Sequence, residues 1–133
     1  MRAVRRGLRR AVERARRFVA PVGLPGDSLV AVPASGQVLY RLVWRVPARE
    51  RDFMSQMEKG RPPHKDSPAI YWTGVSMFRE RSQAVSRARG KGSAVARVTL
   101  RPEEGFHLAK TLNEGHYTVW GLPDRLLANC TIV

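Results

Sequence analysis

Val38-Leu-Tyr-Arg-Leu-Val-Trp-Arg-Val46 is the stretch from which the fold is read. Its alternate residues Val38, Tyr40, Leu42, Trp44 and Val46 are all apolar, while Leu39, Arg41, Val43 and Arg45 occupy the other set of positions. A period of two is the period of a strand, whose successive side chains point to opposite faces. The pattern predicts a half-buried strand over 38–46, with the first set inward and a basic outer face.

Downstream, Asp52 is placed to cap a short helix running to Lys59, with Phe53, Met54 and Met57 facing inward and Gly60 ending it. Pro62, Pro63 and Pro68 make residues 61–68 a loop. Ile70 to Phe78 reads as a second strand in which Gly74 marks a bulge or a close approach. Ser82 to Arg89 reads as a second helix with a small inner side of Ala84, Val85 and Ala88, broken by Gly90 and Gly92. Ala94, Ala96, Val98 and Leu100 alternate along a third strand, and Pro102 to Gly105 form a turn. His116–Trp120 and Ala128–Val133 are two further strands, joined through a Gly-Leu-Pro-Asp turn at 121–124. Runs of strand and helix in this order predict an α+β fold: a single small domain over 38–133 with a mostly antiparallel sheet of about five strands and two short helices.

Upstream of that domain, residues 1–20 read as a basic amphipathic helix. Val4, Leu8, Ala11, Val12, Ala15 and Val19 share one face, and Arg2, Arg5, Arg6, Arg9, Arg10, Arg14, Arg16 and Arg17 cover the rest, with Glu13 the lone acid. Arginines at both ends oppose the helix macrodipole at the start, so an anionic partner or docking of the apolar stripe is needed to hold this helix. The same features fit an organellar leader or a start codon placed too early. Residues 21–37 read as a linker punctuated by Pro21, Gly23, Pro25, Gly26, Pro33 and Gly36, with a short strand allowed at Ser28–Val32.

Composition sets the function classes. The chain has 133 residues, the size of one domain, and its 43% hydrophobic content suffices for a core. Its net charge of +13 favours a polyanion: nucleic acid, ribosome, anionic lipid or nucleotide. Arginine outnumbers lysine 20 to 4; guanidinium forks match phosphate, although codon bias in a GC-rich genome gives the same skew. A single cysteine, Cys130, excludes an intramolecular disulfide and a multi-cysteine zinc site. It points to a reducing, cytoplasmic setting and, within a terminal strand, to a buried structural thiol. No stretch reaches the length of a membrane span, and the stripe of the N-terminal helix is too small for more than shallow contact with a membrane surface.

No P-loop, dinucleotide fingerprint, His-Glu-x-x-His or cysteine cluster is present, so no metal and no cofactor is expected. His107 and His116 are candidates for an acid–base pair across adjacent strands, while His64 lies in a polar loop. Arg41 and Arg45 share a strand face on which a phosphate would fit. Tyr71, Trp72, Tyr117 and Trp120 are candidates for base stacking, against the commoner use of strand aromatics as core.

Leu-Tyr-Arg (39–41), Asp-Phe-Met-Ser (52–55), Gly-Val-Ser-Met-Phe (74–78), Gln83-Ala84 and Gly-His-Tyr-Thr-Val-Trp-Gly-Leu-Pro (115–123) resemble an uncharacterised family of small proteins from GC-rich bacteria, over about residues 38–133. A remoter resemblance is to ADP-ribosyltransferase-like folds, with Arg41 and the Ser76 segment in similar places. That resemblance implies NAD as cofactor, Arg41 on its phosphate and Ser76 lining the nicotinamide ribose. The chain departs from it at the later catalytic glutamate: Glu103 and Glu104 fall in a turn, and the His116–Trp120 strand carries no acid.

The leading expectation is a binding protein for RNA or DNA, using Arg5, Arg6, Arg9, Arg10, Arg14, Arg16 and Arg17 on phosphates. The alternative is an ADP-ribosyltransferase-like or nucleic-acid-processing enzyme using Arg41, Ser76 and His116.

Overall fold

A computed structural model of the chain describes residues 31–63, 65, 69–88, 93–111 and 114–133. The basic helix expected over 1–20, the first part of the linker, and His64 lie outside the described residues.

Alternation delivers the sheet. Seven strands, β1 (Val32–Pro33), β2 (Val38–Val43), β3 (Val75–Phe78), β4 (Ala94–Thr99), β5 (His107–Lys110), β6 (His116–Trp120) and β7 (Cys130–Ile132), are ordered β1-β5-β6-β3-β2-β4-β7. Every neighbouring pair is antiparallel. Three short helices accompany them: α1 (Ala69–Trp72), α2 (Arg81–Val85) and α3 (Pro123–Ala128). The α+β class and the antiparallel sheet thus agree with the sequence reading, but the strand count is seven rather than about five. The two extra strands are short, and β1 gains its partner only from β5, a pairing no local pattern announces.

The sheet is curled, and chain length requires it. Between β1 and β2 lie three other strands, about 19 Å in a flat sheet. The link from Pro33 to Val38 spans at most about 18 Å when fully extended, and a bend at Gly36 shortens it. The link lies across the mouth of the curl. Ala34 donates its N–H to the Phe106 carbonyl at 2.8 Å, Gly36 to Leu100 at 2.9 Å, and Leu100 returns a bond to Gln37 at 2.8 Å. Ala31 and Ala34 are buried. Residues 31–37, read from sequence as the end of a linker, therefore belong to the domain.

Core packing corrects the face assignment of the decisive strand. Leu39 and Val43 are buried in the main core with Phe53, Val75, Met77, Ala96, Val98, Leu100, Phe106, Leu108, Val119 and Leu126. Trp44 and Val46, expected inside, are 66% and 60% exposed. The strand also stops at Val43 rather than Val46. The physical reason is that both of its faces are covered: α3 and the 3₁₀ turn Glu50–Phe53 bring Leu126 and Phe53 over the Leu39 face, and α2 brings Ala84 over the Tyr40 face. With elements packed on both faces of β2, alternation carries no sign. Arg41 sits among the inward residues and not on a basic outer face.

Local chemistry explains the other departures. Residues 52–59 form no continuous helix. The 3₁₀ turn ends at Phe53, and a separate turn follows in which Ser55 N–H donates to Glu58 Oε1, Glu58 N–H donates to Ser55 Oγ (both 3.1 Å), and Lys59 N–H reaches the Ser55 carbonyl. Gly60, at φ +75°, closes it: Gly60 N–H bonds to Met57 and Arg61 N–H to Gln56. That is a capping box and a Schellman motif around a single turn. The expected strand 70–78 is split into α1 and β3 at Gly74, which is a close approach: a Cβ there would stand 2.3 Å from Thr118 Cγ2 and 2.9 Å from Trp120 Nε1. The second helix ends at Val85, and of its expected inner side only Ala84 is buried, Val85 being 41% exposed. The turn expected at 121–124 instead starts α3, with Pro123 at its first position, which shortens the last strand to β7.

Candidate functional site

Strand register divides the candidate residues between the two faces of the sheet. Ser76 opposes Thr118 and Phe78 opposes His116 along β3 and β6, so these four share the face of the sheet on which α2 packs. Arg41 opposes Ala96, a core residue, and belongs to the other face.

Arg41 acts as a clamp. Its Nε donates to the Asp52 carbonyl and its Nη1 to the Ser76 carbonyl at 2.7 Å. The guanidinium stands where the β2–β3 ladder has narrowed to Tyr40 opposite Phe78. Burial is the larger influence on it and outweighs the nearby Asp52 carboxylate, pushing its pKa down to about 10. It remains a cation at neutral pH. Two of its donors are spent on main-chain oxygens, so the clamp links β2, β3 and the 3₁₀ turn. Arg45, expected beside it on one face, is exposed beyond the end of the strand.

His116 is buried in a hydroxyl relay. Its Nδ1 lies 2.7 Å from Thr111 Oγ1, which lies 3.0 Å from Thr118 Oγ1. The Phe78 ring stands edge-on to the imidazole, centroids 5.3 Å apart at 75°. Burial lowers the pKa of His116, the hydrogen bond with the Thr111 backbone opposes that, and the Arg87 charge adds to the lowering. A neutral imidazole results, and the single Thr111 proton can be shared with only one neighbour at a time, so the relay has a direction.

Structure brings some of the candidates together and separates others. Ser76 and His116 share a face on diagonal positions, roughly 7–8 Å apart, beyond hydrogen-bond reach. Ser76 is exposed, and no hydrogen bond of its hydroxyl occurs among the described residues. His107 opposes Trp120, four residues and about 13 Å along β6 from His116, so the two histidines form no acid–base pair. His107 Nδ1 instead lies 3.2 Å from the Gly105 carbonyl. Arg41 and the Ser76 side chain belong to opposite faces of the sheet. Among the described residues no three His, Cys, Asp or Glu side chains gather as metal ligands.

The aromatics named for stacking are committed elsewhere. Trp120 donates Nε1–H to Thr73 Oγ1 at 2.9 Å and packs with Ala31, Ala109 and Tyr71; Trp72 donates to the Arg61 carbonyl at 2.6 Å; Tyr117 packs on the core. Cys130 is half-buried in β7, its thiol pushed up first by burial and then by the Asp52 charge. No helix among the described residues is long and apolar enough to cross a membrane.

Sequence reasoning missed two residues with a positional role. Asp52, read as a helix cap, is a buried carboxylate that accepts the N–H of Trp44 at 3.1 Å and of Arg49 at 2.8 Å, pinning the 44–49 loop. The clue was its spacing of three from Arg49. Gln83 fastens α2, accepting from Glu80 N–H and donating to the Glu114 carbonyl, both at 3.1 Å. No local signal pointed to the second of these bonds.

No protein-family model, no curated protein and no solved structure matches the chain.

Proposed function

We propose that the chain is a binding protein for nucleic acid, held mainly by phosphate contacts from Arg5, Arg6, Arg9, Arg10, Arg14, Arg16 and Arg17. The observation that carries this reading is the net charge of +13, with eight arginines and one acid in the first seventeen residues. The surface of the domain supports it. Of its described arginines only Arg41 is drawn inward; the others are exposed, and among the described residues only Arg79 and Arg125 form an ion pair with an acidic side chain. A surface of exposed guanidinium groups, few of them opposite an acidic side chain, binds phosphate with little sequence preference and releases counterions as it does so.

Salt dependence tests the reading. With six or more phosphates contacted, affinity for a short RNA falls by about a thousand-fold or more between 50 and 200 mM salt. Replacing the seven named arginines by glutamine flattens that slope. An affinity that does not change with salt removes the proposal.

A further inference from the structure

Leaving Trp44 in water has a structural cause. Val43, its neighbour in β2, is fully buried, which turns the next side chain away from the core. Phe53, also fully buried, fixes the far end of the loop. Between these anchors Asp52 receives the N–H groups of Trp44 and Arg49, while the Asp52 carbonyl receives Arg41, which is bonded in turn to β3. Trp44 therefore stands on a pinned loop. Its indole makes no hydrogen bond or ring contact among the described residues, whereas the indoles of Trp72 and Trp120 are both bonded. Around it Arg45, Arg49 and Arg51 are exposed, with Glu50 the one exposed acid of the segment.

We infer that the loop from Trp44 to Arg51 is a stacking site for an unpaired base of single-stranded nucleic acid, with the indole face taking the base and Arg45, Arg49 and Arg51 the flanking phosphates. An indole offers a flat apolar face to any base, and guanidinium forks suit the backbone on either side. The charge of the loop is complementary to that strand. A duplex hides its base faces within the stack and offers the loop phosphates alone. An anionic membrane would need a wider apolar area than Trp44 and Val46 supply beside three arginines. The site rests on the nucleic-acid reading above and adds to it a preference for single strands, placed in the folded domain.

The test uses the full chain, a labelled twelve-nucleotide oligouridylate, a duplex RNA of equal length, and phosphatidylcholine–phosphatidylserine vesicles. Trp44→Ala lowers affinity for the oligouridylate about ten-fold and leaves the duplex within about two-fold, and Trp44→Phe recovers most of the loss. Because the side chain is exposed, the thermal melt of both variants matches the parent. Replacing Arg45, Arg49 and Arg51 by serine lowers the salt slope by about two to three units while keeping the indole-dependent preference. Unchanged single-strand affinity in Trp44→Ala, with salt-dependent binding intact, overturns this site and spares the broader reading. Absence of salt-dependent binding to either RNA overturns both. A tryptophan emission shift with vesicles but not with oligouridylate, lost in Trp44→Ala, assigns the loop to membranes and overturns the inference.

Discussion

At His116 burial and hydrogen bonding pull in opposite directions, and burial is the stronger. The folded state therefore holds its imidazole neutral to a lower pH than the unfolded chain, in which histidine titrates near 6.5. Between the two pKa values the unfolded state binds more protons, so stability is full above about pH 6.5 and is lost progressively as pH falls below it. Melting temperatures of the parent and of His116→Gln at pH 7.5 and 5.5 check this: the parent falls further between the two than the variant does. Equal falls would show that other groups set the acid response. Arg41 shows the complementary solution for a charge drawn inward. It stays ionised because main-chain carbonyls replace the water it has lost, and such bonds are strong only when the geometry is fixed.

Among the elements, the turn from Ser55 to Arg61 has order out of proportion to its length. One turn of helix is marginal in water, because nucleation fixes several dihedrals for one bond. Here the Ser55–Glu58 box closes its start, Gly60 closes its end, and Met57 N–H bonds to the Trp72 carbonyl at 3.1 Å, fastening it to α1. Ser55→Ala removes the acceptor from a buried N–H and costs about 1–2 kcal/mol, read from urea unfolding with an unchanged slope. A cost under about 0.3 kcal/mol would mean that the Glu58 N–H finds another partner. Gly60 as the end of the turn was legible in the sequence, but the helix from Asp52 to Lys59 was not borne out, since Asp52 ties the preceding loop and the Ser55–Glu58 box opens the turn instead. The same kind of competition explains β3. Ile70–Phe78 reads as a strand by residue type on either side of Gly74, yet the close approach of Gly74 to Thr118 and Trp120 falls between the helical turn before it and the strand after it.

For the whole molecule, the curl of the sheet is what closes the domain, and the strip 31–37 is its fastening. Comparison of a chain lacking residues 1–30 with one lacking 1–37 isolates that strip. Loss of buried Ala31 and Ala34 and of the backbone bonds to Phe106 and Leu100 costs the shorter chain about 2 kcal/mol or more, a fall in Tm on the order of 10 °C. Equal melting temperatures would place the closure elsewhere. Edge strands of two and three residues, β1 and β7, fit this closed form, since short edges offer little to a second chain. Of the candidate site, the sequence made Arg41, Ser76 and His116 visible as chemistry-bearing residues, and it could not place them relative to one another. Residue types and their period of two were enough for the class of fold, the antiparallel strands from Val38, Ala94 and His116, and a cationic surface, because alternation and charge are local properties of the chain. Which side of β2 is the inside, that Trp44 stays in water, and that Arg41 and the Ser76 side chain part to opposite faces were decided only by tertiary packing, because a strand covered on both sides takes its direction from the helices and turns laid over it.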